Sequence, residues 1–177
     1  MLNIKFKDNI DMFVILGQAG VGKSAFGEKL SNNGFIVLEL DKLIKESENL
    51  TPKEIINIKG VKRFREIEAR ILRDITSKDS SESAILIAGG GVVDYAPNLE
   101  ILKQMSIILL KRNIFSILLT LNNDFRGFSA PVFLLNYLRR RREYLNIFQD
   151  CKKSKIILNL NKPEKAYNDL IEFVKPG

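Results

Sequence analysis

The chain has 177 residues, 45% hydrophobic and 28% charged, with 28 basic against 21 acidic side chains and a formal net charge of +7. This balance suits one folded domain spanning 1–177 and excludes intrinsic disorder, collagen-like repeats and, with Cys151 as the only cysteine, a disulfide scaffold. Histidine is absent, which excludes Ser/His and Cys/His triads and His-ligated zinc and leaves carboxylates, lysine, arginine, backbone amides and a hard metal ion to do any chemistry.

Residues 1–11 are charged throughout and hold no apolar run of signal-peptide length. The longest apolar runs, such as 105–110, fall far short of the ~20 residues that span a bilayer. A cytoplasmic protein without a membrane partner is expected, and a lone cysteine fits a reducing compartment.

Short apolar runs then alternate with segments of helical period, the pattern of strand–helix units around a largely parallel sheet. The spacing predicts a first strand over 12–16, running straight into Gly17-Gln18-Ala19-Gly20-Val21-Gly22-Lys23-Ser24 and a helix to about Leu30. A second strand is expected over 35–39, with Glu39 and Asp41 at alternate positions and so on one side of an extended chain. Asp41 also reads as the N-cap of a helix over 42–46. Thr51-Pro52-Lys53-Glu54 is a capping box with proline at the first helical position, and Gly60 ends that helix. A longer helix over 61–75 follows, with Val61, Phe64, Ile67, Ile71 and Leu72 forming one apolar stripe.

After a polar loop at 78–83, a third strand at 84–88 abuts Gly89-Gly90-Gly91. A fourth strand is expected at 106–111, then a Gly-containing loop at 122–130 that carries Arg126, and a helix bearing Arg139, Arg140, Arg141 and Arg142. A fifth strand at 156–160 and a helix over 163–174, burying Ala166, Leu170 and Phe173, complete the chain. The charge excess is local: residues 126–155 hold eight basic side chains and two acidic ones. Such a segment fits an anionic partner, or else a solvated helix face. No aromatic platform accompanies it, so nucleic acid is not expected as the partner.

The loop at 17–24 carries the main inference. It matches G-x-x-x-x-G-K-[ST] in the strand–loop–helix setting that this phosphate-binding motif requires. Its glycines let successive amides converge on phosphate oxygens, and the following helix adds its positive dipole end. Lys23 supplies a cation for the outer phosphates, and the Ser24 hydroxyl suits magnesium. Gly17, Ala19, Gly20, Val21, Gly22, Lys23, Ser24 and Ala25 are therefore the candidate nucleotide-binding residues. The guanine-reading Asn-Lys-x-Asp is missing, since Asn161-Lys162 lacks the aspartate, and the chain is too short for a motor. A small kinase is the natural reading.

The acceptor belongs beyond the carboxyl ends of the other strands. There one of Glu39 and Asp41 could help hold magnesium while the other accepts a hydrogen bond from a substrate hydroxyl. Arg65 and Glu68 share a helix face, so Glu68 could fix Arg65 for a substrate carboxylate, or the two could form a surface ion pair. The triple glycine lets a ligand approach bare backbone. A loop arginine such as Arg126 would neutralise transition-state charge and exclude water.

These motifs in this order resemble the shikimate kinase family. They are 17–24, Leu38-Glu39-Leu40-Asp41, residues 60–68, Gly89-Gly90-Gly91, Arg126 and Arg140-x-x-x-Tyr144. The resemblance implies an α/β fold of the P-loop type: a five-stranded parallel sheet in the order 2-3-1-4-5, flanked by helices, with a mobile lid at about 122–131. It implies transfer of the ATP γ-phosphoryl to the 3-hydroxyl of shikimate, with magnesium, in aromatic amino acid biosynthesis. By the same resemblance Lys23, Asp41 and Arg126 would be catalytic, and Ser24 and Glu39 would serve the metal. Asp41, Arg65, Gly89, Gly90, Gly91 and Arg140 would bind the acid, in a monomer. Three positions depart from the family pattern: Glu39 replaces an aspartate, Gly127 replaces a proline, and Leu119 replaces a basic residue beside adenine. A kinase for another hydroxylated acid, such as gluconate, and a catalytically weak nucleotide- and acid-binding module are the competing expectations.

Overall fold

Four consecutive apolar residues, Phe13–Leu16, are all buried, as a strand covered on both faces must be. They form β1, the centre of the sheet. In the computed structural model, which describes residues 12–77, 84–121, 130–151, 153 and 155–174, four more strands join it: β2 (Val37–Glu39), β3 (Ile85–Ile87), β4 (Ser106–Lys111) and β5 (Lys155–Asn159). The order is β2-β3-β1-β4-β5, as expected, and every pairing is parallel. Val14 lies opposite Leu86 on one side and Ile107 on the other. Each expected strand is present, shifted or trimmed by no more than two residues at an end.

Alternation along the strands feeds two cores. Val14, Leu16, Leu86 and Ile107 pack on one face with Ile44, Ile55, Phe64, Leu72 and Tyr144, while Phe13, Ile15, Ile85 and Ile108 pack on the other with Phe26, Leu30, Ala166 and Leu170. The first face is covered by α2 (Leu40–Glu48), α3 (Pro52–Thr76), α4 (Ala96–Leu102) and the far half of α6 (Ala130–Asp150). The second is covered by α1 (Lys23–Asn32), α5 (Ile114–Leu121) and α7 (Pro163–Val174). Because all strands run one way, the segments after their carboxyl ends meet along a single edge of the sheet.

The capping box at α3 forms as expected: Glu54 N–H donates to Thr51 Oγ1 at 3.3 Å, and Thr51 N–H donates to Glu54 Oε2 at 2.7 Å. Gly60 marks a kink in α3 rather than its end, with φ 83° and ψ 162° and helix on both sides. Past the kink Phe64, Ile67, Ile71 and Leu72 are buried, but Val61 is 57% exposed, so the stripe starts one turn later than its spacing implies.

Two expectations about the second strand are corrected. β2 stops at Glu39 and α2 begins at Leu40, so Asp41 lies inside the first helical turn and Glu39 occupies the N-cap position. Leu40 and Ile44, four apart and both fully buried, account for the early start by anchoring one helix face. Glu39 and Asp41 therefore do not share an extended chain. The loop at 78–83 lies outside the described residues, as do Arg126 and the rest of 122–129, while Ala130 already belongs to α6. No helix among the described residues is long and apolar enough to cross a membrane.

The backbone at Gly60 occupies a region that costs a side-chain-bearing residue about 1–3 kcal/mol. Nothing lies within 4 Å of where a Cβ would stand, so steric contact adds nothing to that cost. Gly60→Ala is expected to lower unfolding free energy by about that amount in urea titration. An unchanged midpoint would show that the kink is not a fixed feature of the fold.

Candidate active site

The loop at 17–22 leaves β1 and delivers Lys23 as the first residue of α1. Gly20 (φ 76°) and Gly22 (φ 107°) hold conformations that L side chains rarely adopt, which lets the loop curl around its own amides. Gly22 is the N-cap of α1 and provides no side-chain acceptor, so the first-turn amides keep their dipole end for an anion. Lys23 is 9% exposed, and its Nζ donates to the carbonyls of Gly17 at 2.8 Å and Gln18 at 3.0 Å. Those bonds hold the ammonium over the concavity. Val21 is fully buried among apolar side chains, so only its backbone is placed to serve a ligand.

A cavity of about 230 Å³ opens at this point, lined by Gly20, Gly22, Lys23, Ser24, Ala25, Glu39, Asp41, Gly89 and Gly90 among others. Glu39 and Asp41 thus reach the same space by a strand end and a helix start. Glu39 also pairs with Lys42 at 2.5 Å, a contact that raises the Lys42 pKa. Among the described residues no group of three or more acidic or cysteine side chains forms a metal cage. One hydroxyl and two carboxylates are nonetheless a hard-oxygen set, and magnesium bound through phosphates and waters needs only one or two protein ligands. A larger, mainly apolar cavity of about 440 Å³ lies on the other flank of the loop, under α5 and α6, and Glu39, Asp41, Arg65 and Arg140 do not line it.

The three glycines after β3 have three different neighbours. A Cβ on Gly89 would meet Asp41 Oδ1 at 3.5 Å, one on Gly90 would stand 2.9 Å from the Ala19 backbone nitrogen, and one on Gly91 would strike the guanidinium of Arg65. Gly90 is therefore where the glycine turn touches the phosphate loop. Gly91 is where two arginine heads pass. Bare backbone is expected here for a ligand, and its first use is this close packing of the protein on itself.

Arg65 and Glu68 form a buried pair at 2.7 Å rather than a surface one, with side-chain exposures of 13% and 1%. Burial pushes the Glu68 carboxyl above its usual range, while the Arg65 guanidinium pulls it back. Asn98 Nδ2 donates to Glu68 Oε2 at 2.7 Å and to the Val92 carbonyl at 3.0 Å, tying the pair to a single 3-10 turn, Val92–Asp94. Asp94 in that turn accepts from Arg140 Nη2 at 2.5 Å and from Arg139 Nη2 at 3.0 Å. The arginine run on α6 divides accordingly: Arg140 faces inward, whereas Arg141 and Arg142 are exposed. Arg140 also lines a small cavity of about 150 Å³ with Gln18, Ala19, Gly90 and Gly91.

Two cross-links fasten α6 to this edge. Gln18 Nε2 donates to the Tyr137 carbonyl at 2.7 Å. The buried Tyr144 hydroxyl lies 3.0 Å from the Gly17 carbonyl and 2.9 Å from that of Gly90, within donating distance of both loops. Burial raises the pKa of that phenol above its usual value. Asp94 and Asn98 carry no sequence signal of their own. Apart from the Val92 carbonyl, six residues before Asn98, their side-chain partners lie 29 to 46 residues away in sequence, and a lone acid three residues after a glycine turn reads as surface.

Against known proteins, a family model described as shikimate kinase matches residues 19–175. The chain is 35% identical over 172 residues to a shikimate kinase of Staphylococcus haemolyticus, covering 93% of this chain and 94% of that one. It is 29% identical to a shikimate kinase of Macrococcus caseolyticus, over 76% of this chain and 82% of the other. Among solved structures, a shikimate kinase from Acinetobacter baumannii in complex with shikimate matches at TM-score 0.73, with 22% identity over 92% of each chain. One from Bacteroides thetaiotaomicron matches at TM-score 0.73, with 18% identity over 92% of this chain and 96% of that one. These structural likenesses carry the fold.

Tyr144→Phe would withdraw a hydroxyl that lies within hydrogen-bond distance of a carbonyl on each loop. The expected loss of stability is about 1–2 kcal/mol, seen as a lower urea midpoint at constant slope. No shift would show that the two carbonyls are satisfied without it.

Proposed function

We propose that this chain, which belongs to the shikimate kinase family, transfers the γ-phosphoryl group of ATP to the 3-hydroxyl of shikimate, giving ADP and shikimate 3-phosphate. One observation carries the reading. The glycine turn at 89–91 borders Asp41 at one end, the phosphate loop in the middle and the Arg65–Arg140 cluster at the other. A phosphate donor and a hydroxylated carboxylic acid would thereby share one wall.

In this reading the amides of 17–25 and the Lys23 ammonium hold the β- and γ-phosphates, and the ammonium exchanges loop carbonyls for phosphate oxygens. Ser24 and, through water, Glu39 would hold magnesium, which would supply charge neutralisation for the phosphates when bound. Asp41 accepts a hydrogen bond from the acceptor hydroxyl and takes up its proton as the oxygen attacks. Arg65 and Arg140 bind the acid's carboxylate, and Gly89, Gly90 and Gly91 lie along its ring. Arg126, which the family resemblance makes catalytic, would neutralise charge on the transferring phosphoryl group. Phosphoryl transfer needs little covalent participation from the protein, so these placements supply most of the rate. The free, buried thiol of Cys151 supports a reducing, cytoplasmic setting.

Steady-state ADP release over a panel of cyclic hydroxy acids and sugar acids tests the acceptor. Shikimate is expected to give the highest kcat/KM, and a larger value with gluconate would overturn the assignment. Lys23→Ala is expected to abolish turnover. Arg65→Ala and Arg140→Ala should each raise KM for the acid far more than KM for ATP, and equal effects on both would contradict the carboxylate clamp.

A further inference from the structure

The two guanidiniums assigned to the substrate carboxylate lie side by side over Gly91, where a single added Cβ would meet Arg65 Nη2 and stand 3.1 Å from Arg140 Nη2. Both side chains are largely buried, at 13% and 16% exposure. Two like charges that close, in a region of lowered dielectric, repel strongly unless an anion lies between them. The anion is Asp94. Its Oδ2 lies 2.5 Å from Arg140 Nη2 and 3.6 Å from Arg65 Nη2, so one carboxylate oxygen faces both heads. Arg140 Nε lies 3.0 Å and 3.1 Å from the two Asp94 oxygens, which makes the contact a fork along the Nε–Nη2 edge.

Asp94 is itself held firmly. Its N–H donates to the Gly91 carbonyl at 3.0 Å and closes the 3-10 turn, while Asn98 ties that turn to Glu68. Glu68 in turn holds Arg65 Nη1 at 2.7 Å. The chain Glu68–Asn98–turn–Asp94 is thus a continuous hydrogen-bonded frame that contacts each guanidinium on one side. Arg140 Nη1 has no bonding partner among the described residues. Counting Arg65, Arg139 and Arg140 against Glu68 and Asp94, one positive charge remains, which suits one carboxylate.

We propose that Asp94 is a positioning residue for the acid-binding step: an internal carboxylate that holds Arg65 and Arg140 together as a preformed receptor, so that the substrate carboxylate meets oriented donors. This rests on the acid-phosphorylating function proposed above and deepens it. It runs against simple charge counting, by which removing an acidic side chain from an anion site tightens anion binding.

The test compares Asp94→Asn with the unaltered chain in shikimate and ATP titrations. Positioning predicts a KM for shikimate raised about ten-fold or more, with KM for ATP within about two-fold and kcat changed far less. Asp94→Glu restores the charge and should recover part of the loss, and it serves equally if the asparagine variant folds poorly. In an Arg140→Ala background Asp94→Asn should have a much smaller further effect on KM for shikimate, because the guanidinium that Asp94 forks is gone and Glu68 still holds Arg65. A merely structural role would lower stability and add fully in that background. An unchanged or lowered KM for shikimate in Asp94→Asn, or full additivity with Arg140→Ala, overturns the proposal alone. Absence of any shikimate turnover by the unaltered chain overturns both this proposal and the function it rests on.

Discussion

The catalytic edge depends on one close approach of two backbones, the phosphate loop at Ala19 and the glycine turn at Gly90. No side chain heavier than hydrogen fits between them, since a Cβ on Gly90 would stand 2.9 Å from the Ala19 nitrogen and 3.2 Å from its Cα. The parallel sheet brings them there by placing β1 and β3 as neighbours with carboxyl ends together. Tyr144 then sits within hydrogen-bond distance of a carbonyl on each loop. In the proposed function, a phosphate on one loop and an acid along the other would be separated by only that contact. Proximity of this kind is what a phosphoryl transfer chiefly asks of a protein.

Electrostatics divides the edge into two ends. At the phosphate-loop end the Lys23 ammonium leans on neutral carbonyl oxygens, partners that a fully charged phosphate would replace in the proposed function. At the other end guanidiniums and carboxylates form a network with little contact with solvent. Some buried polar atoms in it, Arg65 Nε, Glu68 Oε1 and Asn98 Oδ1, have no protein partner among the described residues. Such partial satisfaction costs stability.

Most of the scaffold is legible in the sequence because its signals are local. Ile-, Leu- and Val-rich runs mark all five strands, the glycines and Lys23 mark the phosphate loop, and Thr51 with Glu54 marks a helix start. The placement of Asp41 is not legible, because Leu-Glu-Leu-Asp fits either a strand of period two or a helix start, and only the burial of Leu40 and Ile44 decides. Gly60 announces a break, but not that helix resumes directly beyond it. The arginine cluster is half legible: Arg65 and Glu68 are neighbours by helix spacing, whereas Asp94 meets Arg140 across 46 residues, a pairing that exists only after the fold brings them together.

Direct observation of the transferred group tests the central claim most cleanly. In phosphorus NMR of ATP, magnesium and the purified chain, adding shikimate should replace the γ-phosphate resonance with that of a phosphomonoester, in step with formation of ADP. If ATP stays intact, or yields only inorganic phosphate whether or not shikimate is added, phosphate donor and hydroxylated acid do not share a wall along the glycine turn.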